Sequence, residues 1–243
     1  MKIGLCTIYT KNIMDLAAIT VECNKRMYCD RHEYKFFKKT RDFSVKDIGF
    51  EKLVFVRDTL LNNDLDWIYW CGADTLITNY TIKLEDLIHA NYNLIVTCDI
   101  WDWNLDSFLI KNDSKSIDFL NKIISKYDHY INEHGKPKLQ NAYQKDGCQI
   151  GWAEQAAIIE ECKLEFFKPE IKPEYIDFVK EVPQKTMNSY LYFWYPSHFH
   201  QKGLDYRNRN GQWSEGDFLV HWAGMPNETR ISYALKMIKA VKE

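Results

Sequence analysis

The run Trp67-Ile-Tyr-Trp-Cys-Gly-Ala-Asp-Thr-Leu-Ile-Thr-Asn79 opens on five apolar or aromatic residues and delivers one carboxylate, Asp74, just past them. A strand with no polar alternation belongs inside a sheet covered on both faces, which is the situation of parallel strands in α/β domains. Ligands of open α/β sheets gather beyond the carboxyl ends of the strands, which is where Asp74 falls. An aspartate after a strand is also a common turn former or helix cap, so this residue alone assigns no chemistry.

Outward from that run the same alternation continues. Ile3 to Tyr9 reads as a first strand and Asn12 to His32 as a helix, with Ile13, Leu16, Ala17, Val21 and Met27 at helical spacing. A short strand follows at Glu33 to Lys38, then a helix from Asp47 to Asn62 with Asp47 placed to cap it. Leu94 to Cys98 is a buried strand, Asp99 to Asn104 a polar and aromatic connection, and Ser107 to Ile110 a further strand. Ser114 to Tyr130 is helical, Asn132 to Lys145 an excursion with Gly135 and Pro137, and Glu154 to Cys162 a short helix. Phe218 to Trp222 reads as a late strand and Glu228 to Lys242 as a closing amphipathic helix. No repeat, low-complexity tract or linker divides the chain, so the expectation is one α/β domain over residues 1–243 with a mainly parallel central sheet flanked by helices.

Composition narrows the partners. The 243 residues are 46% hydrophobic, enough for one sizeable core, and 32 basic against 34 acidic residues give a net charge of −2. No global field recruits nucleic acid or an anionic membrane. The cysteines Cys6, Cys23, Cys29, Cys71, Cys98, Cys148 and Cys162 are odd in number and show no paired CxxC spacing, which reads as reduced core thiols. The opening Met-Lys-Ile-Gly-Leu-Cys turns polar too soon for a signal peptide or anchor, and no later stretch has spanning length.

Three expected strands end in polar groups: Asp74, Asp99 and the His221 region. Carboxylates and an imidazole brought together from distant segments can bind Mn²⁺ or Mg²⁺, with a diphosphate supplying further oxygens. The ordered segments Lys25-Arg-Met-Tyr-Cys-Asp-Arg-His-Glu-Tyr34, Lys52, the tryptophan-rich strand with Asp74 and Asn79, and Asp99 continue in this direction. So do Asn104-Leu-Asp-Ser-Phe-Leu-Ile-Lys-Asn112, Ala153-Glu-Gln-Ala-Ala157, Pro183-Gln-Lys-Thr-Met-Asn-Ser-Tyr190 and Gly216-Asp-Phe-Leu-Val-His-Trp-Ala-Gly224.

Over roughly residues 20 to 225 this order resembles glycosyltransferase family 34, the retaining galactosyl- and xylosyltransferases. The resemblance implies a GT-A (Rossmann-like) fold and transfer of a hexose or pentose from a nucleotide-sugar, most simply a UDP-sugar, to an oligosaccharide or glycoconjugate acceptor. It places metal ligation on Asp74 and His221. It places Gln155 by the anomeric carbon, with Glu154 and Asp99 holding sugar hydroxyls. Donor contacts fall to Thr7, Tyr9, Lys52, Asn104, Ser107 and Gly224. Trp101 and Trp103 are candidate platforms for an acceptor sugar, Trp67 and Trp70 are packing, and His198 and His200 are surface residues.

The chain departs from that pattern where the metal would sit. Gly72 replaces the first acidic residue of the Asp-Xaa-Asp motif, which is expected to weaken metal binding. Asp106 stands where the family usually has glycine and adds a charge near the donor sugar. Pro226 and Asn227 replace a lysine that meets the diphosphate in plant members, leaving Arg230 as a substitute. A catalytically degenerate protein that only binds nucleotide-sugar or glycan is therefore the alternative reading. The N-terminal strand, with no anchor before it, points to a soluble cytoplasmic enzyme of prokaryotic or viral origin.

Overall fold

Both faces of strand β3 (Trp67–Cys71) are buried, and the two faces pack against different layers. Ile68 and Trp70 belong to one core layer with Phe50, Phe108 and Ala157, whereas Trp67, Tyr69 and Cys71 belong to a second with Tyr28, Leu84 and Phe218. Two apolar layers explain why the sequence lacks period-two alternation here. The computed structural model describes residues 1–138, 143–145, 148–150, 153–192 and 203–241. His198 and His200 lie outside the described residues.

The other strands are β1 (Ile3–Ile8), β2 (Lys35–Lys39), β4 (Thr75–Ile77), β5 (Leu94–Cys98) and β6 (Trp103–Lys111). They continue with β7 (Tyr143–Lys145), β8 (Cys148–Ile150), β9 (Val179–Glu181), β10 (Ser189–Tyr190) and β11 (Leu219–His221). The main sheet has the order β2-β1-β3-β6-β5-β9. All of its strands run one way except β6, which is antiparallel to both neighbours. A second sheet, β10-β11-β4, lies beside it, and β7 pairs with β8.

Helices cover both faces. The first helical stretch runs through α1 (Met14–Ala17), a π-helical segment (Ala18–Lys25) and α2 (Arg26–His32), ending at Glu33 in the left-handed region. Helix α3 (Ile48–Asn62) is capped as expected, the Asp47 carboxylate accepting the Phe50 N–H at 2.9 Å. The expected helix from Ser114 is broken into α5 (Ser114–Ile124) and α6 (Tyr127–Tyr130). Shorter pieces are α4 (Leu84–Leu87) and α8 (Gln184–Met187), with α7 (Ala153–Cys162) on the core and α9 (Asn227–Met237) near the end. Cys6, Cys29, Cys71, Cys98 and Cys162 are free and buried, and Cys23 is free and exposed. Among the described residues no helix is long and apolar enough to cross a membrane.

The one reversed strand is what places the site. Because β6 is antiparallel, its first residues lie at the carboxyl ends of β3 and β5, and Ser107 pairs with Cys71. The β5–β6 ladder also slips: Val96 pairs with Phe108 but Thr97 pairs with Asn104, so residues 105–107 have no partner on β5. A bulge of this kind bends the strand and re-aims its side chains.

Candidate active site

Asp74 sits in the tight connection from β3 to β4, where the Gly72 carbonyl accepts the Thr75 N–H at 3.2 Å and the Thr75 hydroxyl at 2.8 Å. Strand β4 is antiparallel to β11 with Thr75 opposite His221, so the second sheet delivers the imidazole beside the carboxylate. The Trp222 N–H donates to the Asp74 carbonyl at 3.2 Å and ties the two strand ends together.

The β6 bulge brings a third group. His221 Nε2 lies 3.5 Å from Asp74 Oδ2 and 3.6 Å from Asp106 Oδ2. One ligand atom from each of the three residues falls within 4.8 Å of the others. The histidine is wholly buried and its Nδ1 lies 2.8 Å from Asn188 Oδ1, an atom that can only accept, so the proton belongs on Nδ1. Nε2 has no hydrogen-bond partner and faces two carboxylates, and in the neutral ring it holds a lone pair. A lone pair aimed at anionic oxygens is unfavourable unless a cation or proton lies between them. Neutral imidazole oriented from behind by a fixed acceptor is the usual form of a metal-bound histidine. The residues present therefore fit a divalent cation.

Cations of the protein flank this group. Arg230 lies 3.2 Å from Asp74 Oδ2 and donates through Nε to the Trp222 carbonyl at 3.0 Å. Burial raises the Asp74 carboxyl, but a positive charge at His221, carried by a proton while no cation is bound, and the guanidinium of Arg230 outweigh it and hold the group well below the usual carboxylate range. Asp106 opens to solvent over 42% of its side chain, yet the protein around it and the charge of Asp74 still raise its carboxyl against the pull of Lys52 and His221.

Lys52 connects the cluster to helix α7. Its ammonium lies 3.0 Å from Glu154 Oε1, 3.6 Å from Asp106 Oδ1 and 2.9 Å from the Leu105 carbonyl. Burial lowers this lysine, but Glu154 and Asp106 raise it further and keep it charged. Gly49, in the first turn of α3, abuts the same carboxylate: a Cβ there would come 2.1 Å from Glu154 Oε2. Gln155 is buried, and its side-chain oxygen accepts the Leu105 N–H at 3.2 Å.

Not every expected residue converges. Asp99 Oδ1 accepts the Trp101 and Asp102 N–H groups at 2.7 and 3.4 Å, and Oδ2 accepts Asn104 at 3.1 Å and the Tyr190 hydroxyl at 3.0 Å. This buried carboxylate therefore shapes its loop and orients Asn104. Asn104 also accepts the Asp106 N–H at 3.0 Å, which fixes the bulge. Ser107 turns to the other face of the sheet, where its hydroxyl bonds with Tyr69 at 2.8 Å inside the core. Trp103 is wholly buried and gives its indole N–H to Glu181 at 2.8 Å, so it is a core residue and no acceptor platform. Trp67 and Trp70 are packing, as expected.

Of the expected donor contacts, the Thr7 hydroxyl is buried without a hydrogen-bond partner. The Tyr9 hydroxyl donates to Glu22 at 2.6 Å, and burial with that carboxylate pushes it up to about 12. Gly224 has left-handed backbone with open space where a Cβ would stand. A groove of about 680 Å³ between residues 44–46 and 127–138 contains none of these groups.

The supporting residues were harder to read from sequence. Thr20, Asn24 and Lys25 lie on one side of the π-helical segment and grip the Asp74 turn. Thr20 donates to the Ala73 carbonyl at 2.6 Å, Asn24 to Ile77 at 2.8 Å and Lys25 to Thr75 at 2.7 Å. A π-helical insertion shifts side-chain phase relative to a regular helix, so 3.6-residue periodicity does not reveal this face. Asn188 could have been suspected from the segment Pro183 to Tyr190, but its pairing with His221 depends on the parallel register of β10 and β11.

Comparison with known proteins follows this geometry. Residues 7–95 match the model of the galactosyl transferase GMA12/MNN10 family. An alpha-1,2-galactosyltransferase of Schizosaccharomyces pombe is 23% identical over 223 residues, covering 83% of this chain. The chain is thus similar to the GMA12/MNN10 family over its first strands and helices. It spans 54% of the length of that yeast relative. Two solved structures share the fold of this chain over nearly all of both chains. One is a glycosyltransferase involved in glycosylation of the major capsid of PBCV-1, with TM-score 0.66, 14% identity and coverage of 97% and 100%. The other is the galactosyltransferase LgtC in complex with donor and acceptor sugar analogs, with TM-score 0.56, 10% identity and coverage of 99% and 96%. The fold is GT-A, as the sequence resemblance implied.

Proposed function

We propose that this chain is a retaining glycosyltransferase that moves a hexose or pentose from a UDP-sugar to a glycan or glycoconjugate acceptor. Asp74, Asp106 and His221 would hold Mn²⁺ or Mg²⁺. The observation that carries the reading is the buried His221 Nε2, without a hydrogen-bond partner and facing the carboxylates of Asp74 and Asp106. When bound, the cation supplies positive charge that stabilises the departing nucleotide diphosphate.

The remaining roles belong to the chain's own groups. Arg230 adds a second positive charge beside Asp74, and the open backbone at Gly224 permits close approach of a phosphate. Thr7 and the ring of Tyr9 receive the base. Lys52 pairs with Glu154 and orients it toward a sugar hydroxyl, while Asp99 acts through Asn104. Gln155 presents a carboxamide near the anomeric carbon. A neutral amide is a poor nucleophile, so it favours front-face displacement through an oxocarbenium-like state over a stable covalent intermediate. Asp106 in reach of His221 supports a working enzyme over the binding-only alternative, whose ground was Gly72.

UDP release from UDP-sugars, measured while Mn²⁺ is titrated, tests this reading. Turnover that disappears in Asp74→Ala and His221→Ala supports it. A protein that binds UDP but never consumes a donor, in water or with acceptor glycans, excludes it.

A further inference from the structure

Gly72 adopts no left-handed backbone, so its conformation does not call for glycine. Space does. A Cβ on residue 72 would lie 3.1 Å from Asp74 Oδ1, 3.4 Å from Asp106 Cβ and 3.4 Å from the Asp106 carbonyl. That carbonyl accepts the Gly72 N–H at 2.8 Å, so the two backbones cannot separate without losing a hydrogen bond at the strand ends. A side chain on residue 72 would start beside the Asp74 carboxylate and the Asp106 Cβ, and a carboxylate there would add a third negative charge to the group. We propose that positions 72 and 106 are alternative seats for one metal-ligating carboxylate, and that this chain has moved it from the β3–β4 turn to the β6 bulge. The inference rests on the metal reading given above.

The new seat differs in its wiring. Asp106 directs Oδ2 toward His221 and Oδ1 toward Lys52, which is paired with Glu154. One carboxylate thus joins the cation site to the α7 side chains. The buried, unpartnered Nε2 of His221 is the independent sign that a ligand belongs at this point.

The test measures binding of Mn²⁺ alone and with UDP, read from the free-ion paramagnetic resonance signal. Asp106→Gly is expected to weaken binding by ~10-fold or more, as is typical when an ordered metal-site partner is removed. Gly72→Asp in the parent is expected to bring no gain. Gly72→Asp combined with Asp106→Gly is expected to bind more tightly than Asp106→Gly alone, the non-additivity expected of two residues sharing one site. Asp106→Asn, nearly the same shape, serves if the glycine variant does not fold. Loss in Asp74→Ala with full binding retained in Asp106→Asn overturns the relocation while leaving the metal reading intact. Tighter binding in single Gly72→Asp also overturns it. A parent that takes up no Mn²⁺ overturns both.

Discussion

The Nδ1–H of His221, on β11, donates at 2.8 Å to Oδ1 of Asn188, the residue just before β10. That contact sets the tautomer and aims Nε2 at Asp74 and Asp106. Asn188→Leu removes the acceptor while keeping approximate volume, and is expected to lower Mn²⁺ affinity by ~10–100-fold. Equilibrium dialysis checks this, together with circular dichroism to establish that the variant is folded. Unchanged affinity would mean that the imidazole needs no such orientation.

Lys52 and Glu154 form a buried pair at 3.0 Å, both side chains being less than a tenth exposed. Lys52→Met leaves Glu154 buried without its counter-charge and is expected to cost about 3–5 kcal/mol of stability. Adding Glu154→Gln removes the stranded charge and recovers part of the loss, while turnover stays low. Urea unfolding of the single and double variants, beside donor hydrolysis, separates the structural cost from the chemical one.

Replacing a glycine inside a helix by alanine ordinarily stabilises by ~0.5–1 kcal/mol. Gly49→Ala is expected to do the reverse, because the new methyl group would lie 2.1 Å from Glu154 Oε2. A raised melting temperature with undiminished turnover would show that Glu154 has room to move.

Glu161 accepts from Lys122 and Lys126, at 2.6 and 2.7 Å, and from the Tyr175 hydroxyl. Burial raises this carboxyl, but Lys122 leads the groups that outweigh it and hold it down to about 2, against 4.5 for the free group. A depressed folded value contributes stability in full above the unfolded value and loses it as pH falls from about 4.5 toward about 2. Glu161→Gln is therefore expected to be less stable than the parent at pH 7, with the difference shrinking through that acid window. Thermal melts at a series of pH values read it directly, and a difference that is flat with pH excludes this origin.

Local pattern was enough for much of the fold. The strands Trp67–Cys71 and Leu94–Cys98 and the cap at Asp47 follow from apolar runs and from a carboxylate ahead of a helix, both short-range properties of the chain. Asp74 and His221 were legible as candidates because each follows or ends an apolar strand and lies in an ordered motif. Ser107 and Trp103 show the limit of that reasoning. Residue type and position marked both for the site, but the face each one presents depends on the phase of β6 relative to its neighbours.

Taken by itself, then, the amino-acid order determined an α/β chain with an aspartate at the end of a buried strand, a histidine on a late strand and a missing acid at Gly72. Only the tertiary structure decided which carboxylate stands beside Gly72. An antiparallel strand and a three-residue slip against β5 are matters of long-range pairing, set by which partners the hydrogen-bonding edges find. They carry Asp106 to the side of Gly72 and within 3.6 Å of His221, a juxtaposition that residues so far apart in sequence do not encode locally.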